Sequence, residues 1–268
     1  MRRHAARWPT GIGAFVLGLA VLTGCAIDKG SALAADFEES WAGTPDVADI
    51  RTTKNNTLPF SGTSTGTLVL EDGTPADRVR ELADELGEYV ARNDATSGRI
   101  TAGGITFSVV ADRTRTREVL ALWQSLEADG QVKGADIEDA PWKGEADRWR
   151  IDVDAAGMKG GMVLFKDISA EGGSHRPLPG VTVLKVEGPG LLVESAFGDR
   201  FPTEAVAAYD AVSARYPVAA ATLRRDAVSG SAVRIVVPLS ADIEQAGELA
   251  RSAAPNLGDA VEVVGEGR

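Results

Sequence analysis

A single thiol stands in the 268-residue chain, Cys25, within VLGLAVLTGCAIDKG from Val16 to Gly30. As its thiolate a cysteine is a nucleophile. This one follows Leu22-Thr23-Gly24 at the end of an apolar run. Other reactive groups are sparse. His4 lies in the basic start, so His175, in the Gly- and Pro-rich loop GGSHRP, is the histidine a Ser-His-Asp set would have to use. No G-x-S-x-G elbow accompanies it, and it reads as an exposed loop residue. One thiol and one histidine do not make a transition-metal site. Carboxylates cluster as Asp72 with Asp77, Asp136 with Glu138 and Asp139, and Asp152 with Asp154. None has the alternating oxygens, Gly turn and later Glu of a calcium loop. Asp152 and Asp154 share one side of a strand pattern, opposite Trp149 and Ile151, which reads as a solvated sheet face. Gly157-Met158-Lys159-Gly160-Gly161 lacks the G-K-[ST] ending of a phosphate loop and reads as a hairpin turn. The residues therefore predict no catalytic set, no metal and no cofactor.

The thiol has a different chemistry on offer. MRRHAAR is basic without an acid, and no charged side chain appears from Trp8 to Gly24. A basic start, a short apolar core and a small-residue exit form a secretory signal peptide. The core is shorter than the roughly 20 apolar residues of a membrane span. Leu22-Thr23-Gly24-Cys25 resembles the lipobox of bacterial lipoproteins, a resemblance confined to residues 1–25. It implies a diacylglyceryl thioether on Cys25, cleavage before it and an N-acyl group on the new terminus. Two or three chains on one residue hold a protein firmly, where one alone is marginal. The implied location is the extracytoplasmic face of the cell membrane.

Losing Arg2, Arg3 and Arg7 with the signal peptide takes the formal charge from −11 to about −14. That acidity speaks against a broad basic face for nucleic acid. Absence of further cysteines fits an exported body large enough to build its own core.

The elements that would position any site follow in order. Residues 25–45 are small and acidic, and read as a flexible tether. Trp41 within it either docks on the body or faces a partner. Sliding the chain by 127 positions pairs Pro75 with Pro202, Val79 with Val206, Tyr89 with Tyr216 and Val109 with Val236. In each copy a strand leads into a helix, a hairpin follows, then a second helix and a last strand. GTLVLEDG is the first strand. Thr74-Pro75-Ala76-Asp77 reads as a capped helix start, with Val79, Leu82, Ala83, Leu86 and Val90 as its apolar stripe. Ile105, Phe107 and Val109 alternate as a strand. Val119, Leu122, Trp123 and Leu126 mark the second helix, and VKGADIE closes the unit. In the second copy VTVLKVE and LLVESA flank Gly188-Pro189-Gly190, and a helix starts near Pro202. Val233, Ile235 and Val237 alternate, Ser240 caps the next helix, and AVEVVG ends the chain.

This predicts an α+β protein: a signal peptide (1–24), a tether (25–45) and two ferredoxin-like modules, 46–139 and 149–268, joined by a linker (140–148). Each would be a split βαβ unit, an antiparallel sheet with helices on one face. VADIRTT adds a leading strand to the first unit and RWRIDVDAAGMKGGMVLF a hairpin to the second. Trp142, in the linker, either packs at the junction, the favoured reading, or anchors a partner. The expected function is a non-enzymatic binding protein of the envelope, whose partner is an envelope protein or polymer met by open sheet faces or edges. A carboxylate-dependent extracellular hydrolase and a carrier of a small apolar or lipid ligand are the alternatives.

Overall fold

In the computed structural model the described residues are 28–58, 61–140, 148–169, 173–176, 178–196, 201–224 and 232–267. The element order is α1 (Lys29–Trp41), β1 (Val47–Leu58), β2 (Ser61–Leu70), α2 (Ala76–Arg92), β3 (Thr96–Ala102), β4 (Ile105–Val109), α3 (Arg113–Glu127) and β5 (Val132–Asp139). It continues with β6 (Trp149–Ala155), α4 (Met158–Ser169), β7 (Val181–Gly188), β8 (Leu191–Ala196), α5 (Phe201–Ser213), β9 (Ala220–Leu223), β10 (Val233–Val237), α6 (Ile243–Ala253) and β11 (Val261–Gly265).

All eleven strands join one mixed sheet, laid down in chain order from β1 to β11. Tight turns make antiparallel neighbours, as at β3–β4, where Gly103 and Gly104 both take positive φ in a two-residue loop. Helices α2 to α6 each connect two adjacent parallel strands. Strand direction reverses at every hairpin while the chain advances the same way across the sheet. With every helix on one face, successive crossovers must then alternate in hand, a departure from the usual right-handed preference.

The helix-covered face is a continuous apolar surface. Leu68, Ile100, Phe107, Ile137, Ile151 and Leu184 are partners strand by strand, and all are buried. Val186, Val193, Leu223, Val233 and Val261 carry the row on to the far edge. Helices seat closely where the sheet or the helix itself offers a glycine. A Cβ at Gly66 would collide with the Phe37 ring, and one at Gly161 would lie 2.7 Å from Leu191. Trp123 is fully buried against Phe107 and donates its indole N–H to the Ala102 carbonyl at 3.2 Å. Burying each such ring contributes roughly 2–3 kcal/mol.

The α+β class, the helices on one face and most strand assignments are as the sequence predicts; the strand order is not. A split βαβ unit holds a strand between its parallel pair, whereas here β2 and β3, or β8 and β9, are direct neighbours. Periodicity reveals an element's type and buried side, but not which edge it pairs with. The sheet also runs on from β5 into β6, which pairs antiparallel to β5 and parallel to β7.

Local corrections follow the same logic. Residues 29–41 are not tether: Asp28 caps α1 by accepting from the Ser31 N–H, and Phe37 and Trp41 are buried. Met158 to Ser169 is α4 and not the second arm of a hairpin, its glycines tolerated because Gly161 must touch the sheet. Thr74 bonds back to the Glu71 carbonyl and caps nothing, so α2 opens after Pro75. Asp242, not Ser240, caps α6.

The order α-β-β-α-β-β-α-β occurs twice, from α1 to β5 and from α4 to β11, with β6 between. At the 127 offset, buried Ala34, Phe37 and Trp41 of α1 match buried Gly161, Leu164 and Ile168 of α4. Val119, Leu120 and Trp123 match Ala246, Gly247 and Ala250 likewise. In α5 the phase slips by one: Val79 is buried but Val206 is only half-buried, and Ala205 takes the core position.

Candidate functional site

Among the described residues no helix lies over the second face of the sheet. Its side chains alternate with the core row and are mostly polar: Thr67, Arg99, Thr101 and Thr106 on β2 to β4, then Asp136, Arg150, Asp152, Lys185, Glu194, Arg224, Arg234 and Glu262 on β5 to β11. Asp152 and Asp154 therefore lie on an uncovered face, as their spacing predicts.

The charges on this face neutralise one another. Arg99 pairs with Asp136, and Lys185 with Glu187. Arg150 Nε reaches Asp152 Oδ2 at 2.9 Å, Arg224 Nε reaches Glu194 Oε2 at 3.3 Å, and Arg234 Nε reaches Glu262 Oε2 at 3.6 Å. The hydrogen bond that Arg150 donates to Asp152 holds its guanidinium above its ordinary pKa, and the bond from Lys185 to Glu187 does the same for the Lys185 amine. Partly exposed pairs of this kind contribute at most about 1 kcal/mol each. They set a pattern of alternating charge and do little for stability.

At the end of the sheet a recess of about 430 Å³ opens around the start of β3, lined by Thr53, Thr65, Ser97, Arg99, Ser108 and Glu138 of the open face and by Val90 and Asp94 from the end of α2 and its turn. Ser108 points away from the helices yet is only 7% exposed, so it forms part of a floor. Its Oγ accepts the Asp139 N–H at 3.1 Å. Arg99 Nε and Asp152 Oδ1 are buried without a hydrogen-bond partner. Buried polar atoms are nearly always satisfied, so these two mark places where something polar is missing.

His175 is not the exposed loop residue its composition predicts. Asp167 accepts the Ser174 and His175 N–H groups at 2.8 and 2.7 Å, which ties the loop to α4 and turns the imidazole inward. Nδ1 lies 3.0 Å from Ser125 Oγ and Nε2 lies 3.1 Å from Asp129 Oδ2, so the ring bridges α3 and α4. Burial raises the Asp167 pKa, but the two N–H bonds and the His175 charge outweigh it and hold it below the usual carboxylate range. Ser125 donates its hydroxyl proton to the Leu122 carbonyl at 2.8 Å, an ordinary helical back-bond. The trio is thereby a strut between the two repeats and not an activated nucleophile.

A second hollow, of about 450 Å³, separates α4 from α5 and is lined by Met158, Met162, Val163, Lys166, Tyr209 and Tyr216 among others. Lys166 is held there by both Asp210 oxygens at 2.7 Å. Among the described residues no three His, Cys, Asp or Glu side chains are grouped to hold a metal.

Trp41 packs with Phe37 and Tyr89 at ring separations of 6.2 and 6.3 Å, so it docks on the body. Leu22, Thr23, Gly24, Cys25 and Trp142 lie outside the described residues. Among the described residues no helix is long and apolar enough to cross a membrane. No protein-family model and no curated protein matches the chain. The recess and the buried histidine both escape sequence reasoning. The recess draws on β1 to β5 and the histidine on α3, α4 and the loops beside them, and only the hydroxyl run SGTSTGT of β2 hints at either.

Proposed function

We propose that the chain is a bacterial lipoprotein, fixed through lipids on Cys25 to the extracytoplasmic face of the cell membrane. Its folded body is a non-enzymatic binding module for an envelope protein or polymer. The observation that carries the binding reading is the uncovered polar face of an eleven-stranded sheet, wide enough to meet an extended surface. The anchor rests on the basic start, the apolar core and the Leu-Thr-Gly-Cys exit of residues 1–25. The repeat supports a body of two modules, 46–139 and 149–268, with α1 added to the first. A general acid needs a raised carboxylate pKa at neutral pH, whereas the displaced carboxylates Asp28 and Asp167 are both displaced downward.

Two measurements test this reading. Mass spectrometry of the amino-terminal peptide of native protein should show a diacylglyceryl thioether on Cys25; an unmodified thiol removes the anchor. Photo-crosslinking groups placed at Asp152 and Glu194 on the open face should capture a specific envelope component. The same groups at Glu81 on α2 and Glu248 on α6 should not. Capture only from the helices would send the binding surface to the other side.

A further inference from the structure

We infer that the recess at the start of β3 binds a neutral polyhydroxylated ligand, a sugar unit of an envelope polymer. The inference rests on the open-face reading and names what that face takes. Three hydroxyls lining the recess, on Thr53, Thr65 and Ser97, have no hydrogen-bond partner among the described residues. Beside them stand a donor and two acceptors. Arg99 contributes a buried Nε–H with nothing to donate to, its Nη2 being held by Asp136. Asp94 and Glu138 contribute carboxylates that accept no hydrogen bond from any described residue. An anion would satisfy Arg99 but meet Asp94 and Glu138, and a cation would meet the reverse. An apolar ligand would strand them all, at a desolvation cost for each. Neighbouring hydroxyls on a neutral ring both accept and donate, so one ligand satisfies donor, acceptors and amphoteric hydroxyls together.

The second repeat supplies an internal control. At the 127 offset Thr65 corresponds to Leu192 on β8, which lies on the same open face. The fold therefore does not require a hydroxyl at the Thr65 position. The hydroxyls of Thr53, Thr65 and Ser97, grouped beside Arg99 in the first repeat, are thus free to meet a ligand.

The test uses the full chain in a sugar-free detergent, titrated calorimetrically with maltose and N,N′-diacetylchitobiose, and separately with inorganic phosphate and cadaverine. Saturable binding of a neutral sugar is expected, weakened about tenfold or more by Arg99→Gln and by Thr65→Leu. The second variant installs the residue the other repeat carries at that position, so it keeps the fold if Arg99→Gln does not. Binding of phosphate or cadaverine with both sugars silent overturns the inference, as does sugar binding indifferent to both variants. Absence of any sugar binding, while crosslinks still form from β6 and β8, overturns it too and leaves the open-face reading standing.

Discussion

The two repeats share a frame and fill it differently. In the first, the seam between α1 and α2 is closed by three rings: Phe37, Trp41 and Tyr89, with Phe37 and Tyr89 edge-to-face at 5.5 Å. Tyr89 then donates its hydroxyl to Asp36 at 2.7 Å. In the second, Leu164 and Ile168 stand where Phe37 and Trp41 stood, and the flank of α4 carries Met158, Met162 and Val163. The seam stays open, and Val163 is 59% exposed. The open faces differ as well, hydroxyl-rich over β2 to β4 and ion-paired over β7 to β11. A repeated backbone thus fixes which side of each element is buried, while the identity of the filling is free to diverge.

The comparison can be broken at its seams. Phe37→Ala should have the largest effect, about 4 kcal/mol lost in chemical unfolding, because no side chain on Gly66 can fill the hole. Leu164→Ala, its counterpart, should cost about 3 kcal/mol, since the flexible methionines nearby can lean in. Equal or reversed losses would show that the first seam is no better filled than the second.

Asp167→Ala should come next, at about 2 kcal/mol near neutral pH, because the Ser174 and His175 N–H groups lose a charged acceptor. The folded Asp167 pKa is depressed, so this stabilisation is present above the ordinary carboxylate range and is lost as pH falls through the folded pKa. Wild type and variant should converge in acid, as urea melts across pH would show. A gap that persists in acid would mean the strut does not depend on the charge.

Tyr89→Phe should cost about 1 kcal/mol and sharpen the contrast at high pH. Burial first, then the Asp36 hydrogen bond, pushes the Tyr89 hydroxyl up to about 12. Its contribution is complete below about pH 10 and fades as pH rises from 10 to 12. Burial also raises the Tyr209 hydroxyl, so an ultraviolet titration of the three tyrosines should show two late ionisations, of which the variant lacks the Tyr89 one. Arg234→Ala, on the open face of the second repeat, should change stability least, by under about 1 kcal/mol. A larger loss would mean that its pairing with Glu262 is structural.

Much of this fold was legible from local pattern. The alternation in Ile105-Phe107-Val109 and the stripe Val119-Leu122-Trp123-Leu126 gave correct elements with correct buried sides, because burial imposes its period on the chain. What local pattern did not carry is pairing. Nothing in β2 or β3 announces that they lie side by side and not astride a third strand. Residues 29–41 failed for a related reason: small and acidic side chains hide a helix whose burial rests on two aromatics, four residues apart. Of the candidate site, only the solvent side of Asp152 and Asp154 was predicted. The recess and the His175 strut depend on contacts between distant segments, such as Ser125 with His175, and no spacing rule encodes them.

The most direct test of the account is carboxyl footprinting of the native protein, first in its own envelope and then purified. If the open face is the binding surface, Asp154, Glu187 and Glu262, all exposed on that face, should lose carbodiimide labelling in the envelope. Glu81, Glu85 and Glu248 on the helices should keep it. Protection of the helix carboxylates instead, or equal labelling everywhere in both states, would contradict the account.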